Sequence, residues 1–112
     1  MKLITAVIKS MKLEEVLDAL TRLGVTGVTV MEVKGTGKLS GSTSLYHGGD
    51  QSVSFLPKLK IELAVSADMA DRVVDAIINA AQTGRAGDGK IFVLDLEEVV
   101  RIRTRETGAD AL

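Results

Sequence analysis

The chain contains no cysteine and no tryptophan, one proline (Pro57), one histidine (His47) and only three aromatic side chains, Tyr46, Phe55 and Phe92, in 112 residues. Each scarcity excludes something. Without cysteine there is no disulfide and no thiolate chemistry, which fits a reducing compartment. With one histidine, no cysteine and no carboxylate pair clustered at a strand end, no nucleophilic or acid–base set can be assembled. No catalytic residue is assigned, and the chain reads as a non-enzyme, with slow nucleotide hydrolysis left open. Few aromatics weigh against a base-stacking surface for nucleic acid. The net charge of −1 supplies no overall field toward nucleic acid or a membrane surface. No stretch approaches the roughly 18 apolar residues that span a bilayer. The opening "MKLITAVIKSMKLEE" turns charged too early for a secretory signal. Cytoplasm is the expected setting, without nucleic acid or direct membrane insertion.

What is present is patterned. "LITAVIK" (3–9) is short and rich in β-branched residues, so a strand is expected. "KLEEVLDALTRLG" spaces Leu13, Val16, Leu17, Leu20 and Leu23 along one helical face, with Gly24 as a left-handed stop. "VTVMEVKG" (28–35) reads as a second strand. "KLKIELAV" (58–65) alternates, with Leu59, Ile61, Leu63 and Val65 on one face and Lys58, Lys60, Glu62 and Ala64 on the other. A helix follows over "ADMADRVVDAIINAAQTG", with Asp68 as a cap, Met69, Val73, Ile77 and Ala80 or Ala81 as the buried stripe, and Gly84 as its end. "KIFVLDL" (90–96) and "VVRIRT" (99–104) read as strands, and the last residues as a flexible tail over 104–112.

The order strand-helix-strand, long loop, strand-helix-strand predicts a single α+β domain over 1–112. It is a ferredoxin-like split β-α-β, with both helices on one face of a four-stranded antiparallel sheet. The opposite face is expected to carry Thr5, Val7, Thr29, Met31, Val33, Glu62, Ala64 and Val93. That set is too apolar for water and calls for a symmetric oligomer.

"TGRAGDGKIFVLDL" holds Gly84, four residues, then Gly89 and Lys90, the spacing of a Walker phosphate loop. The order here is helix, loop, strand, whereas that motif needs a helix after the loop, and Ile91 stands where its Ser or Thr would be. Gly87, Asp88, Gly89 and Lys90 therefore form either a nest of backbone donors beside an ammonium or a plain glycine turn. Arg101 and Arg103, two apart in an expected strand, either clamp phosphate oxygens from one face or form a solvated edge. Gly35, Thr36, Gly37 and Lys38 repeat a Gly-x-Gly-Lys loop, and Lys58 opens a strand beside it. Together these imply a polyanion, and a nucleotide phosphate chain is the commonest small one. The segment 37–55 exceeds the usual length of a structureless connection, which points to a mobile functional arm. His47 has no second histidine or cysteine to share a metal, so a solvated side chain is favoured and no metal site is assigned. Tyr46 reads as a packing or partner contact.

"TVMEVKGTGK", "LYHGG", "FLPKLKIELAV" and "TGRAGDGKIFVLDLEEVVRIRT" resemble the PII nitrogen-regulatory signalling family across nearly the whole chain, as a divergent paralogue. The resemblance implies a homotrimer that binds ATP or ADP in clefts between subunits and docks the long loop, the family's T-loop, onto a target protein. It implies that Gly87, Asp88, Gly89 and Lys90 wrap the phosphates, that Arg101 and Arg103 reach the cleft, and that Gly37 and Lys38 close it. Val7, Thr29, Glu62 and Ala64 would line the base and ribose portion. Plain strand packing is the reading of those four without the family.

The departures carry as much. Leu39 stands where the family usually has a glutamine that ligates magnesium and meets 2-oxoglutarate, and it offers no oxygen to a cation that wants oxygen ligands. Lys58, which meets the 2-oxoglutarate carboxylate in the family, is kept. Nucleotide binding is expected with the 2-oxoglutarate response weakened, and the part played by Mg²⁺ stays open. Gln51 and Gly49 occupy the places of the family's uridylylated tyrosine and phosphorylated serine. His47 occupies that of the arginine used to plug ammonium channels, so the target, a membrane transporter or a metabolic enzyme, is not named by the sequence. AMP and bicarbonate remain open as ligands. The alternative is a structural or metal-linked trimer with a degenerate nucleotide site.

Overall fold

The computed structural model describes residues 1–35 and 56–112. Thr36, Gly37, Lys38, Leu39, Tyr46, His47, Gly49 and Gln51 lie outside the described residues, as does the rest of the expected arm.

The elements are β1 (Lys2–Lys9), α1 (Leu13–Arg22), β2 (Thr29–Gly35), β3 (Leu56–Val65), α2 (Ala67–Ala81) and β4 (Lys90–Asp95). A 3-10 turn over Ser10–Lys12 leads into α1, and another over Gly108–Ala111 closes the chain. The sheet order is β2-β3-β1-β4 and every neighbouring pair is antiparallel, the split β-α-β arrangement.

Alternation along each strand builds the core. Ile4, Ala6 and Ile8 of β1 and Ile61, Leu63 and Val65 of β3 are buried against Val16 and Leu20 of α1 and Ala70, Val73, Ile77 and Ala81 of α2. Both helices therefore cover the same face, and each fully buried Ile contributes about 1.5–3 kcal/mol of transfer free energy. Leu13 and Leu23 pack against this cluster from its edge, while Leu17 stays at the margin. Gly24 ends α1 as its spacing predicts. It takes φ 85°, its N–H donates to Thr21 O at 2.9 Å, and the Val25 N–H donates to Leu20 O at 3.1 Å. Those two bonds are a Schellman motif, which satisfies carbonyls the helix would otherwise leave open.

Several expectations are corrected. Asp68 does not cap α2: Ser66 occupies the cap position in extended conformation without a side-chain bond, and Asp68 sits in the first turn, where its charge faces the positive end of the dipole. The helix stops at Ala81 because Gln82 turns extended (φ −69°, ψ 129°), and Gly84 (φ 82°) belongs to the turn that follows. Most consequentially, residues 99–104 are not a strand. Val100 makes one isolated antiparallel bridge with Thr107, and the chain turns between them. Arg101 N–H donates to Glu106 O at 2.9 Å, Arg105 N–H to Arg101 O at 2.8 Å, and Gly108 N–H to Val99 O at 3.0 Å. The expected tail is thus a small arm bonded to itself.

The face away from the helices is organised in cross-sheet rows by the register. Thr29, Glu62, Thr5 and Phe92 form one row, and Met31, Lys60, Val7 and Lys90 the next. Val93 pairs with Ile4 and so lies on the helix face, against expectation. Phe92 and Leu94 take its place on the open face, 49% and 50% exposed. This edge strand is apolar on both faces, so its period gives no phase and the sequence alone does not fix which of its side chains meet the helices.

Candidate functional site

The turn between α2 and β4 is held by one carboxylate. Asp88 accepts from the Thr83 N–H and the Gly84 N–H, each at 2.9 Å, and from the Thr83 hydroxyl at 2.5 Å. Lys9 of β1 stands 3.1 Å from the same carboxylate and donates to the Thr83 hydroxyl at 3.0 Å. The Thr83 hydroxyl and backbone, the Lys9 ammonium and the Gly84 N–H hold the Asp88 carboxyl well below the usual carboxylate range. Asp88 therefore organises the turn. Both of its oxygens are taken up by the turn and by Lys9.

The glycines flanking Asp88 are obligatory for different reasons. Gly87 has φ 94°, a left-handed conformation that side chains rarely adopt. Gly89 has φ 99°, and a Cβ there would lie 1.6 Å from the carbonyl oxygen of Val7. The turn presses directly on β1, and only glycine permits the approach.

Lysines surround it. Lys58 donates to the Gly87 carbonyl, while its alkyl stem passes the α-carbon of Gly35, where a Cβ would meet Cδ at 3.3 Å. One side chain thus joins the glycine turn to the residue at which the 36–55 segment departs. Lys60 and Lys90 flank Val7 in the same row of the open face. Gly35, Val7, Lys58, Gly87, Asp88, Gly89 and Lys90 are therefore brought together at one end of the sheet. A cavity of about 430 Å³ between α2 and the β1–β4 pair is lined by Val7, Asp88, Gly89 and Lys90 at this turn and otherwise mostly by apolar side chains, among them Ile8, Val74, Ile78 and Ile91.

The remaining predicted residues stand elsewhere. Thr29 and Glu62 are register partners in the adjoining row, and Ala64 lies one row further toward the Leu3–Leu94 end. The C-terminal arm leaves the sheet at that end, where the Leu96 N–H donates to Met1 O at 3.1 Å. Arg101 is engaged within the arm, donating to Leu112 O at 3.2 Å and pairing with Glu106 at 3.6 Å. Arg103 sits in the exposed turn beside Ile102, which is 96% exposed. Among the described residues neither arginine bonds to the glycine turn, and without a strand under them they do not share a strand face. The predicted residues therefore fall into three places: the glycine turn with its lysines, the adjoining Thr29–Glu62 row with Ala64 beyond it, and the C-terminal arm.

Sequence reasoning passed over Lys9 and Thr83. The alternation Leu3, Thr5, Val7, Lys9 was enough to put Lys9 on the open face, whereas the pairing of Thr83 with Asp88 needed the closed turn.

The sequence and the architecture match a known family. The family model "Nitrogen regulatory protein P-II" covers residues 1–106. This chain belongs to the P-II family. It is 54% identical over 112 residues to the nitrogen regulatory protein P-II of Rhizobium etli, and 52% identical over the same length to the nitrogen regulatory protein GlnK of Escherichia coli K12, with 100% of each chain covered. Arabidopsis thaliana PII bound to citrate superimposes with a TM-score of 0.82 at 35% identity, covering 99% of this chain and 91% of that one. These relatives are named as regulatory proteins, and the P-II chain described here is a nitrogen regulatory signalling protein of the same kind. Identity above half over the full length does not call for the description "divergent".

Two outcomes test the turn of this P-II protein. Gly89→Ala should cost more than about 2 kcal/mol of stability, because the backbone is strained for any side chain and the Val7 carbonyl must move; a melting temperature within a degree of the parent would contradict the close approach. Asp88 has a depressed folded pKa, so its contribution is complete above its ordinary value of 3.8 and is lost as pH falls below it. The melting temperatures of the parent and Asp88→Asn should therefore differ at neutral pH and converge in acid.

Proposed function

We propose that this P-II protein is an adenine-nucleotide sensor. Three protomers meet through their open faces. ATP or ADP lies between the lysine-lined glycine turn of one protomer and the Thr29, Glu62, Ala64, Arg101 and Arg103 half of its neighbour. The bound nucleotide biases the 37–55 segment between poses that engage or release a target protein in the cytoplasm. Three such segments per assembly would make docking multivalent.

The observation that carries this reading is Lys58. Its ammonium holds the Gly87 carbonyl, and its stem packs on Gly35. A phosphate taken up at the turn competes for that ammonium, so it acts on the base of the segment without any further relay. Three more features support it. Lysines converge on a backbone whose glycines admit close approach, the fit a polyphosphate requires. The arm carrying Arg101 and Arg103 leaves from the opposite end of the sheet, which suits a contribution to a neighbour. Phe92 and Leu94 add apolar area to a face that a symmetric assembly would cover. The Arabidopsis relative is named with citrate bound, and a polycarboxylate is a polyanion too.

A thermal shift tests the reading. A ligand that binds only the folded state adds about 2.7 kcal/mol at 100 times its Kd, so saturating ADP or ATP should raise the melting temperature by several degrees. Arg103→Glu, in an exposed turn, should abolish the shift and leave the unliganded melting temperature unchanged. A shift that survives the charge reversal removes the arginine half of the site. No shift at all favours the structural or metal-linked trimer.

The second expectation concerns the small effector. Leu39 supplies no oxygen to a magnesium ion, and among the described residues no cluster of three or more His, Asp or Glu could hold one. Calorimetry with Mg-ATP present should show 2-oxoglutarate binding weakened at least about tenfold relative to a Leu39→Gln variant. Equal affinities would put the metal ligands elsewhere.

A further inference from the structure

One polar row crosses the otherwise apolar part of the open face. Thr5 sits in it between Glu62 on β3 and Phe92 on β4, and is 7% exposed, the one buried polar side chain among the described residues. Its hydroxyl donates to Glu62 Oε2 at 3.1 Å. The Lys60 ammonium stands 3.8 Å from that same oxygen, too long for a tight bond but close enough to balance charge. Oε1 of Glu62 has no protein donor among the described residues.

We infer that Thr5 is a positioning residue that fixes Glu62 with one oxygen satisfied and the other aimed at an N–H or O–H donor of the bound nucleoside. The inference rests on the nucleotide reading above. An ionised carboxylate only accepts, so the open oxygen selects a ligand by its donors. On an adenine nucleotide those are the ribose hydroxyls and the exocyclic amine, and the two make the same demand on Glu62. The orientation comes from Thr5 and not from Lys60. A β-branched residue in a central strand holds its χ1 tightly, and its buried hydroxyl would lose hydrogen bonding if it let Glu62 go. The Lys60 stem is long and its head is solvated, so it follows the carboxylate. Thr29, the other register partner of Glu62, borders the same row from β2.

The test is calorimetry of the full chain with ADP, 2′-deoxy-ADP, 3′-deoxy-ADP and inosine diphosphate. A charged hydrogen bond sets the expected scale. The parent should lose roughly tenfold or more in affinity on one analogue, a deoxy form if the donor is the ribose or the inosine form if it is the amine. Inosine diphosphate would then place a carbonyl oxygen against the carboxylate. Thr5→Val keeps the shape and removes the hydroxyl, and should shrink that ratio to within about threefold, while Thr5→Ser restores it. Thr5→Ala carries the same comparison should the valine chain not fold. The inference is overturned if Thr5→Val or Thr5→Ala discriminates like the parent, or if the parent treats all four ligands alike. Parent protein that binds ADP but shows no such ratio sinks the role of Thr5 alone, whereas parent protein that binds no ADP sinks the nucleotide reading with it.

Discussion

The pairing of β1 with β3 on one side and β4 on the other constrains everything else in this protein. That register sends Ile4, Ala6 and Ile8 to the helices and Leu3, Thr5, Val7 and Lys9 to the open face. A slip of one residue would exchange the two sets, exposing the core and burying a lysine. The same strand receives the glycine turn, since Gly89 comes against the Val7 carbonyl. Fold and site are thus secured by one strand, and a disturbance of either reaches the other.

The open face carries a gradient that the near-zero net charge conceals. Lys9, Lys58, Lys60 and Lys90 gather at the end beside the turn, while Leu3, Ala64, Phe92 and Leu94 occupy the other. Like charges so close repel unless something balances them. Here Asp88 answers Lys9, the Gly87 carbonyl answers Lys58 and Glu62 answers Lys60. The first partner belongs to the architecture of the turn. The second is a neutral dipole, a weaker partner for an ammonium than a carboxylate. The lysines at this end are thus each balanced by a separate partner, and one of them, Lys58, also packs on Gly35 at the base of the long segment.

The C-terminal arm leaves the sheet after β4 and folds back on itself through Val100 and Thr107. Its bonds run within itself, and Arg105 adopts φ 64°, a costly conformation for an arginine, to close the turn. Arg101 turns back on Glu106 and the Leu112 carbonyl, whereas Ile102 and Arg103 stand exposed in the turn. Membership of the P-II family, with more than half of the residues shared over the whole length with the rhizobial relative, agrees with a protomer built for assembly.

Periodicity was sufficient to read the four sheet strands and both helices, because a three-to-four-residue stripe and strict alternation each match one backbone geometry. Strand order followed from two strand-helix-strand units, and the glycine turn was visible as spacing. The phase of β4 was not, since residues 91–94 are apolar throughout and one-dimensional pattern cannot say which side faces a helix. Nor were the ends of α2, where Gln82 breaks the helix two residues before the glycine that looked responsible. Arg101 and Arg103 read as a strand pair because alternation was assumed where the chain instead turns back on Thr107. The hold of Lys9 on Asp88, the bridge made by Lys58 and the hold of Thr5 on Glu62 join residues far apart in the chain. Local chemistry selects helix and strand, but which distant side chains meet depends on register and closure, and those exist only once the sheet is formed.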